Sequence, residues 1–293
     1  MDQAEKLRSL VNKQKDLRES LEAAKQMRVI AVTSGKGGVG KTNFALNLAI
    51  HLAKMNKRVV VIDADFGLAN IEVLLGISPR HTFKDVISGE VSLQDSLTAG
   101  PAGVRFLSGG SGLTQLADVT DEQLALLVEG FSQLNTLADI VIIDTGAGMS
   151  KAVTSLLKAS DETIVITTSD PTSVTDAYAI IKVLVEDNPS PPQLKIVVNR
   201  VENQAECQEV FKRLHRVCYK FLELSLVNLG CVPNDKYLAR AVRSQEPVAL
   251  MFPNAESTRS IGIIGQRLLN TMPEREVSGL RQFIDRWIGL MRI

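Results

Sequence analysis

Residues Val29 to Thr42 read VIAVTSGKGGVGKT, an apolar β-branched run, a glycine-rich turn and a polar helix start. Within it Gly35 to Thr42 satisfy GxxxxGK[ST], and no other feature of the chain restricts its fold as tightly. Such a turn needs a strand before it and a helix after it. The glycines (Gly35, Gly37, Gly38, Gly40) let the backbone curl so that its N–H groups converge on phosphate oxygens, and the following helix adds its positive end. In that geometry Lys41 reaches the β- and γ-phosphates, and the Thr42 hydroxyl binds Mg²⁺.

The chain downstream agrees with that start. Short apolar runs with little alternation occur at Val29–Thr33, Val59–Ile62, Ile140–Ile143, Thr163–Thr167 and Lys195–Val198, as in strands buried on both faces. Helical patterns at Thr42–Met55, Lys151–Lys158, Thr175–Val185 and Gln204–Leu222 separate them. Val104–Leu107 is a further short strand candidate, and the proline-rich stretch from Asn188 to Gln193 reads as a loop entering a strand. The pattern predicts an α/β fold: a mostly parallel, doubly wound sheet of the P-loop NTPase kind, covered by helices on both faces. Residues 29–272 carry it. Residues 1–28 read as a polar helix with a thin apolar stripe, and residues 273–293 as a separate tail after Pro273.

Composition sets limits. The 293 residues carry 33 Lys+Arg against 33 Asp+Glu, for a formal net charge of zero. That balance argues against a wholly basic nucleic-acid coat while leaving room for a local patch. No apolar run approaches the roughly 18 residues of a membrane span. The charged start, MDQAEKLRSLVNKQKD, is not a secretory signal. Cys207, Cys218 and Cys231 lack a CxxC pair and read as reduced thiols of a cytosolic protein. His51, His81 and His215 share no spacing suited to a metal or to catalysis, and His51 reads as structural.

Lys36 turns the motif into KGGVGKT, the deviant form of the phosphate loop. The chain here resembles the MinD/ParA family of ATPases, which also includes the nitrogenase iron protein. The resemblance implies an ATP-dependent homodimer in which Lys36 reaches the nucleotide of the other subunit. Gly35 through Thr42, Val39 included, would cradle ATP or ADP. VVVIDADFGLAN, residues 59–70, places Asp63 and Asp65 after a strand, where α/β folds bind ligands. By resemblance Asp65 orients the attacking water and Asp63 lies near the metal. One of the two carboxylates could equally cap the following turn. ADIVIIDTGAG, residues 138–148, is a Walker B strand whose Asp144 holds Mg²⁺, and Gly146 and Gly148 loosen the loop after it. The wording DTGAGMS departs from MinD, which has Pro at the place of Gly146, and resembles the flagellar FlhG/FleN branch.

Two further segments concern the base. KIVVNRV ends in Asn199 and Arg200, and CVPNDKYL carries Pro233 and Asp235. The family sets such residues around adenine. No guanine-selecting NKxD stands at the expected place, so ATP is favoured.

The ends extend the resemblance. Leu280, Phe283, Ile284, Trp287, Ile288 and Met291 fall on one helical face, with Arg281, Asp285, Arg286 and Arg292 opposite. Bulky apolar residues facing arginines suit a helix lying in a membrane interface, as at the end of MinD. A helix packed on the domain is the alternative, and the two states could alternate. The opening DQAEKLR, with Asp2, Gln3, Leu7 and Arg8, resembles the activator segment through which the flagellar branch stimulates its FlhF-type GTPase partner. The whole implies a slow regulatory ATPase controlling flagellar number or placement. It would be cytoplasmic, would attach peripherally to the inner face of the cell membrane in the ATP state, and would contact flagellar basal-body (C-ring) proteins.

Three other readings compete. A ParA-type DNA-segregation ATPase shares the core, but neutrality and the Trp-bearing tail weigh against it. An Fe–S carrier needs cysteines near the segments 59–70 and 138–148, and all three lie after Asp144. A nucleotide-locked scaffold without hydrolysis is at odds with intact motifs.

Overall fold

The computed structural model describes residues 27–65, 70–109, 134, 136–186, 188, 190–271 and 279–292. The activator-like segment with Asp2, Gln3, Leu7 and Arg8 lies outside them. So do Gly67 and Pro273, and the side chains of Leu280, Arg281 and Arg292.

In chain order the described elements are β1 (Arg28–Thr33), α1 (Lys41–Lys54), β2 (Val59–Ala64), α2 (Asn70–Leu75), α3 (Phe83–Ile87), α4 (Leu93–Ser96), β3 (Thr98–Ala99), β4 (Arg105–Leu107) and β5 (Ile140–Thr145). The second half holds α5 (Lys151–Ala159), β6 (Glu162–Thr167), α6 (Pro171–Val185), β7 (Gln193–Val201), α7 (Gln204–Leu222), β8 (Val227–Pro233), α8 (Lys236–Arg243), α9 (Val248–Met251), α10 (Glu256–Asn270) and α11 (Gly279–Arg292). The strands form one sheet in the order β3-β4-β2-β5-β1-β6-β7-β8. Every pair is parallel except β3 with β4.

The expected buried strands are there. Each residue of β2, β5 and β6 is buried. Two apolar layers flank the sheet, because alternate residues of each strand point to opposite faces. Met27, Val29, Ala31, Val141 and Ile143 face the layer under α5 and α6. Ile30, Val32, Val61, Ile142 and Val197 face α1 and α10.

Strand β8 and helices α8 to α10 go beyond the sequence reading. Gly230 and Pro233 disguise β8 as a turn, and at Gly230 the backbone takes φ 139° against the side chain of Ile264. With β8 unread, the pairing of Cys207 with Cys231 was also invisible, and here the expectation of three reduced thiols is corrected. Helix α7 runs back over β7 and β8, bringing the two cysteines to a Cα–Cα distance of 6.1 Å in a disulfide. Cys218 stays a buried thiol, which burial pushes up to a pKa of about 11.

The C-terminal helix α11 is docked. Phe283, Ile284 and Trp287 are buried, whereas Ile288 and Met291 are half-buried. The Trp287 indole donates to Ser155 Oγ of α5 at 3.1 Å. Arg286, assigned by the sequence to the polar face, reaches Asp161 Oδ1 at 3.2 Å. No helix among the described residues is long and apolar enough to cross a membrane.

Candidate nucleotide and metal site

The candidate site lies where strands β1, β2, β5 and β7 end. Parallel strands put their carboxyl ends on one edge, so residues distant in sequence meet there. β1 runs into the glycine turn and α1 begins at Lys41, with Gly40 as its N-cap at φ 92°. A side chain at Gly40 would be strained by that φ, and its Cβ would lie 2.5 Å from Asn199 Nδ2. The turn is therefore glycine for two reasons: backbone handedness and the approach of β7.

Asn199 does more than face the cleft. Its amide donates to Val39 O at 2.6 Å, so the residue expected at the base also ties down the phosphate turn. Asn199, Arg200, Pro233 and Asp235 share a cleft of about 550 Å³, to which Leu238 and Arg243 also contribute. Those last two escaped the sequence reading because α8 did. Arg200 adopts φ 58° at a bulge of the β7–β8 ladder, which turns it out of the strand. Asp235 works as a brace: it caps α8 through Tyr237 N and accepts from both N–H and hydroxyl of Ser257. Partial burial would raise its pKa, but the donations from Ser257 and Tyr237 outweigh that and hold it below the usual carboxylate range.

A second cleft of about 630 Å³ joins the turn to Asp65, lined also by Gly37, Gly38, Lys41, Thr42 and Arg200 among others. Lys41 Nζ lies 3.4 Å from Asp144 Oδ1. Burial pushes the Asp144 carboxyl above the usual range, against the pull of the Lys41 ammonium and the Thr42 hydroxyl beside it. Its Oδ2 is buried and has no hydrogen-bond partner. A buried carboxylate oxygen left over next to a threonine hydroxyl is a suitable oxygen donor for a hard divalent cation such as Mg²⁺. The residues present fit that ion.

Asp63, in β2, and Asp65, the residue after the strand, are held by different partners. Asp63 accepts from Asp65 N and from Ile71 N, both at 3.1 Å, and so ties the end of β2 to the start of α2. Burial first, and the neighbouring Asp144 second, push its pKa up to about 7. Asp65 is more open and accepts from Asn70 Nδ2 at 2.8 Å. Asn70 is a positioning partner that sequence reasoning missed; its place five residues on, at the start of α2, was the available signal. A methyl group at Gly146 would come within 3.0 Å of Asp65 Oδ1, so Asp65 lies against the loop that follows β5.

Lys36 rests on its own chain. Its ammonium lies 3.2 Å from Thr172 Oγ1 and 3.8 Å from Asp170, with both charged side chains about half exposed or more. Such a surface pair holds the lysine by about 0–1 kcal/mol. Among the described residues no cluster of three His, Cys, Asp or Glu forms a metal centre, and the histidines stay apart. His51 packs on Gly262, burial and Lys54 lower its pKa, and its Nε2 has no partner.

A glycine turn wrapped round the start of α1, a lysine and a threonine at its end, and a Walker B aspartate beside them define a P-loop nucleotide-binding protein. Residues 30–248 match the model of the CobQ/CobB/MinD/ParA nucleotide binding domain. The chain belongs to that family, in its MinD/ParA part with the deviant Walker A turn, alongside the FlhG-type members. It is 36% identical to the antiactivator FleN of Pseudomonas aeruginosa over 263 residues, covering 89% of this chain and 94% of FleN. It is 34% identical to the flagellum site-determining protein YlxH of Helicobacter pylori, covering 88% and 89%. Among solved structures, MinD of Pyrococcus horikoshii complexed with Mg-ADP superposes with TM-score 0.66 over 83% of this chain and 96% of that one, at 22% identity, which speaks for the fold alone.

Proposed function

We propose that the protein is a MinD-like regulatory ATPase that dimerises around ATP and helps to set flagellar number or placement. The observation that carries the reading is the orphaned Oδ2 of Asp144 beside Lys41 and Thr42, at the mouth of the phosphate turn. The relatives FleN and YlxH support the flagellar assignment, one as an antiactivator and the other as a flagellum site-determining protein.

Lys41 and the turn from Gly35 to Thr42 hold the β- and γ-phosphates, while Thr42 and Asp144 hold Mg²⁺ and Asp63 supports the loop beside it. The ion, when bound, neutralises charge developing on the phosphoryl oxygens. Asp65, held by Asn70 and touching Gly146, orients the attacking water. Asn199, Arg200, Pro233 and Asp235 frame the adenine. Lys36 leaves Thr172 for the nucleotide of a second copy, at little cost given how weakly it is held. Turnover is slow, because the output is a conformational cycle.

Helix α5 starts directly after the loop of Gly146 and Gly148 and carries the seat of α11. Rearranging that loop round a γ-phosphate would loosen Trp287 from Ser155 and free the apolar face of α11 for a membrane surface. Exposing Phe283, Ile284 and Trp287 costs about 1.5–3 kcal/mol each, which a lipid interface offsets. Two such helices on one dimer act together. The DQAEKLR segment would stimulate an FlhF-type GTPase, and basal-body proteins would be further partners. The protein would then be cytoplasmic, with a membrane-attached fraction.

Gel filtration with ADP and with ATP tests this for wild type and for Asp65→Ala. The expected result is a dimer with ATP alone, trapped by the substitution. A monomer saturated with uncleaved ATP overturns the reading. In liposome flotation, membrane attachment should require ATP; equal attachment with ADP counts against release of α11.

A further inference from the structure

We propose that Cys207 and Cys231 are a reversible thiol–disulfide modification site that controls how firmly the cleft for the nucleotide base is held closed. The inference rests on reading that cleft as the base site.

The cleft has two arms. One is the end of β7, Asn199 and Arg200, running through Val201 and Glu202 to Asn203, whose side chain caps α7. The other is the end of β8, Val232 and Pro233, running into Asn234 and Asp235. The ladder pairs Asn199 with Val232 and Val201 with Pro233, but it is irregular there, interrupted by the bulge at Arg200. Asn234 adds two bonds across the arms, to Val201 O at 2.9 Å and from its amide to Glu202 at 3.1 Å. β8 is the last strand of the sheet, with β7 as its one ladder partner among the described residues.

The disulfide closes this gap. Cys207 lies in the first turns of α7, four residues past Asn203, and Cys231 is the residue before Val232. The bond joins the two arms directly behind the cleft, across a sequence separation of 24. Opening it leaves an edge strand with a bulged ladder as the support of one wall.

The two sulfurs differ in access. Cys207 is fully buried, whereas Cys231 is half-buried on the edge strand, its Sγ 3.4 Å from Gln204 Oε1. Cys231 is the sulfur a small reagent meets first. In oxidation its thiolate attacks a low-molecular-weight disulfide, forming a mixed disulfide and releasing one small thiol. Cys207, deprotonated, then attacks Cys231 Sγ and expels the second small thiol. Two protein thiols lose two protons and two electrons, and the small disulfide is reduced to two thiols. Reduction by a dithiol is the reverse. Cys218, fully buried, takes no part.

The test uses the full chain, treated with oxidised glutathione or with dithiothreitol and then freed of reagent. Labelling with N-ethylmaleimide after unfolding in denaturant, with peptide mass, reads the bond. Titration with a fluorescent ADP analogue and Mg²⁺ reads the cleft, and thermal unfolding reads the fold. The oxidised form should protect Cys207 and Cys231 from label. The reduced form should bind the analogue about 3–10-fold more weakly, as a smaller fraction of molecules holds the closed cleft. Its unfolding midpoint should fall by about 5 °C. Cys207→Ser and Cys231→Ser should each reproduce the reduced values and lose the response, and Cys218→Ser should keep it. Full labelling of both cysteines after glutathione overturns the proposal, as does a bond that forms with no change in affinity; the latter leaves the base-site reading standing. A bond that forms while neither state binds the analogue overturns the base-site reading and this inference with it.

Discussion

Buried carboxylates stand at both ends of the strands, and two of them, Glu162 and Asp144, are treated in opposite ways. At the edge where the strands begin, Glu162 receives Arg28 through Nε and Nη2 at 2.8 and 2.9 Å and is bonded also by Lys195. Nη2 of Arg28 also lies within hydrogen-bond distance of the carbonyls of Leu268 and Thr271, at 3.1 and 3.4 Å. Asp161 alongside accepts from Val29 N and from Arg286. At the edge where the strands end, Asp144 and Asp63 are also buried. Asp63 is satisfied by two backbone N–H groups, but Asp144, with the Lys41 ammonium and the Thr42 hydroxyl beside it, keeps an unbonded oxygen. A network complete within the chain holds the fold, and one that is incomplete is waiting for something from outside. The difference separates structural charge from functional charge where burial alone would not.

That contrast can be broken by substitution. Glu162→Gln should cost about 3–5 kcal/mol in denaturant unfolding, because Lys195 and Arg28 are then buried without their counter-charge. Its folded fraction should bind ATP as the wild type does; equal stability would remove the structural role. Asp144→Asn should do the reverse. Phosphate release should fall by about 10²-fold or more, while unfolding of the nucleotide-free protein stays unchanged or shifts up. A large loss of stability there would make the two edges alike.

The pH dependence sharpens the contrast. Folded Asp63 keeps its proton to about pH 7, while the unfolded chain releases it near 3.8. Between those values the folded state binds more protons. The stability so contributed is full below the lower value and is lost as pH rises through the upper. The slope of that loss is at most about 1.4 kcal/mol for each pH step of one. Unfolding midpoints of the nucleotide-free protein from pH 4 to 8 should show that decline, and Asp63→Asn should flatten it. The smallest effect belongs to His51 at the far end of α1. Its folded pKa is depressed, so it contributes stability above pH 6.5 that is lost as pH falls below. Removing the ring in His51→Leu should flatten that acid limb, by about 1–2 °C in the midpoint.

The phosphate turn was legible because its chemistry is written in eight consecutive residues. Helix α7 was legible to its ends, Gln204 and Leu222, because one long amphipathic pattern sets it. The Arg28–Glu162 pair was not, since 134 residues separate its members and the topology brings them together. Strand β8 was lost to its glycine and proline, and with it went the disulfide, α8 and the far wall of the cleft beside Asn199. The docking of α11 was one of two options in the sequence, because an apolar face does not say which apolar surface it meets. The segment with Asp2, Gln3, Leu7 and Arg8 offers a motif and, among the described residues, no structure to set beside it.

The bond from Asn199 to the carbonyl of Val39 has a consequence for how this site can change. On the proposed reading of the cleft, one amide would serve both the purine end of the ligand and the loop at its anionic end. A replacement that retunes which nucleobase is preferred would also slacken the grip on the phosphates. Selectivity and affinity would then be inherited together, and a lineage revising the first would put the second at risk.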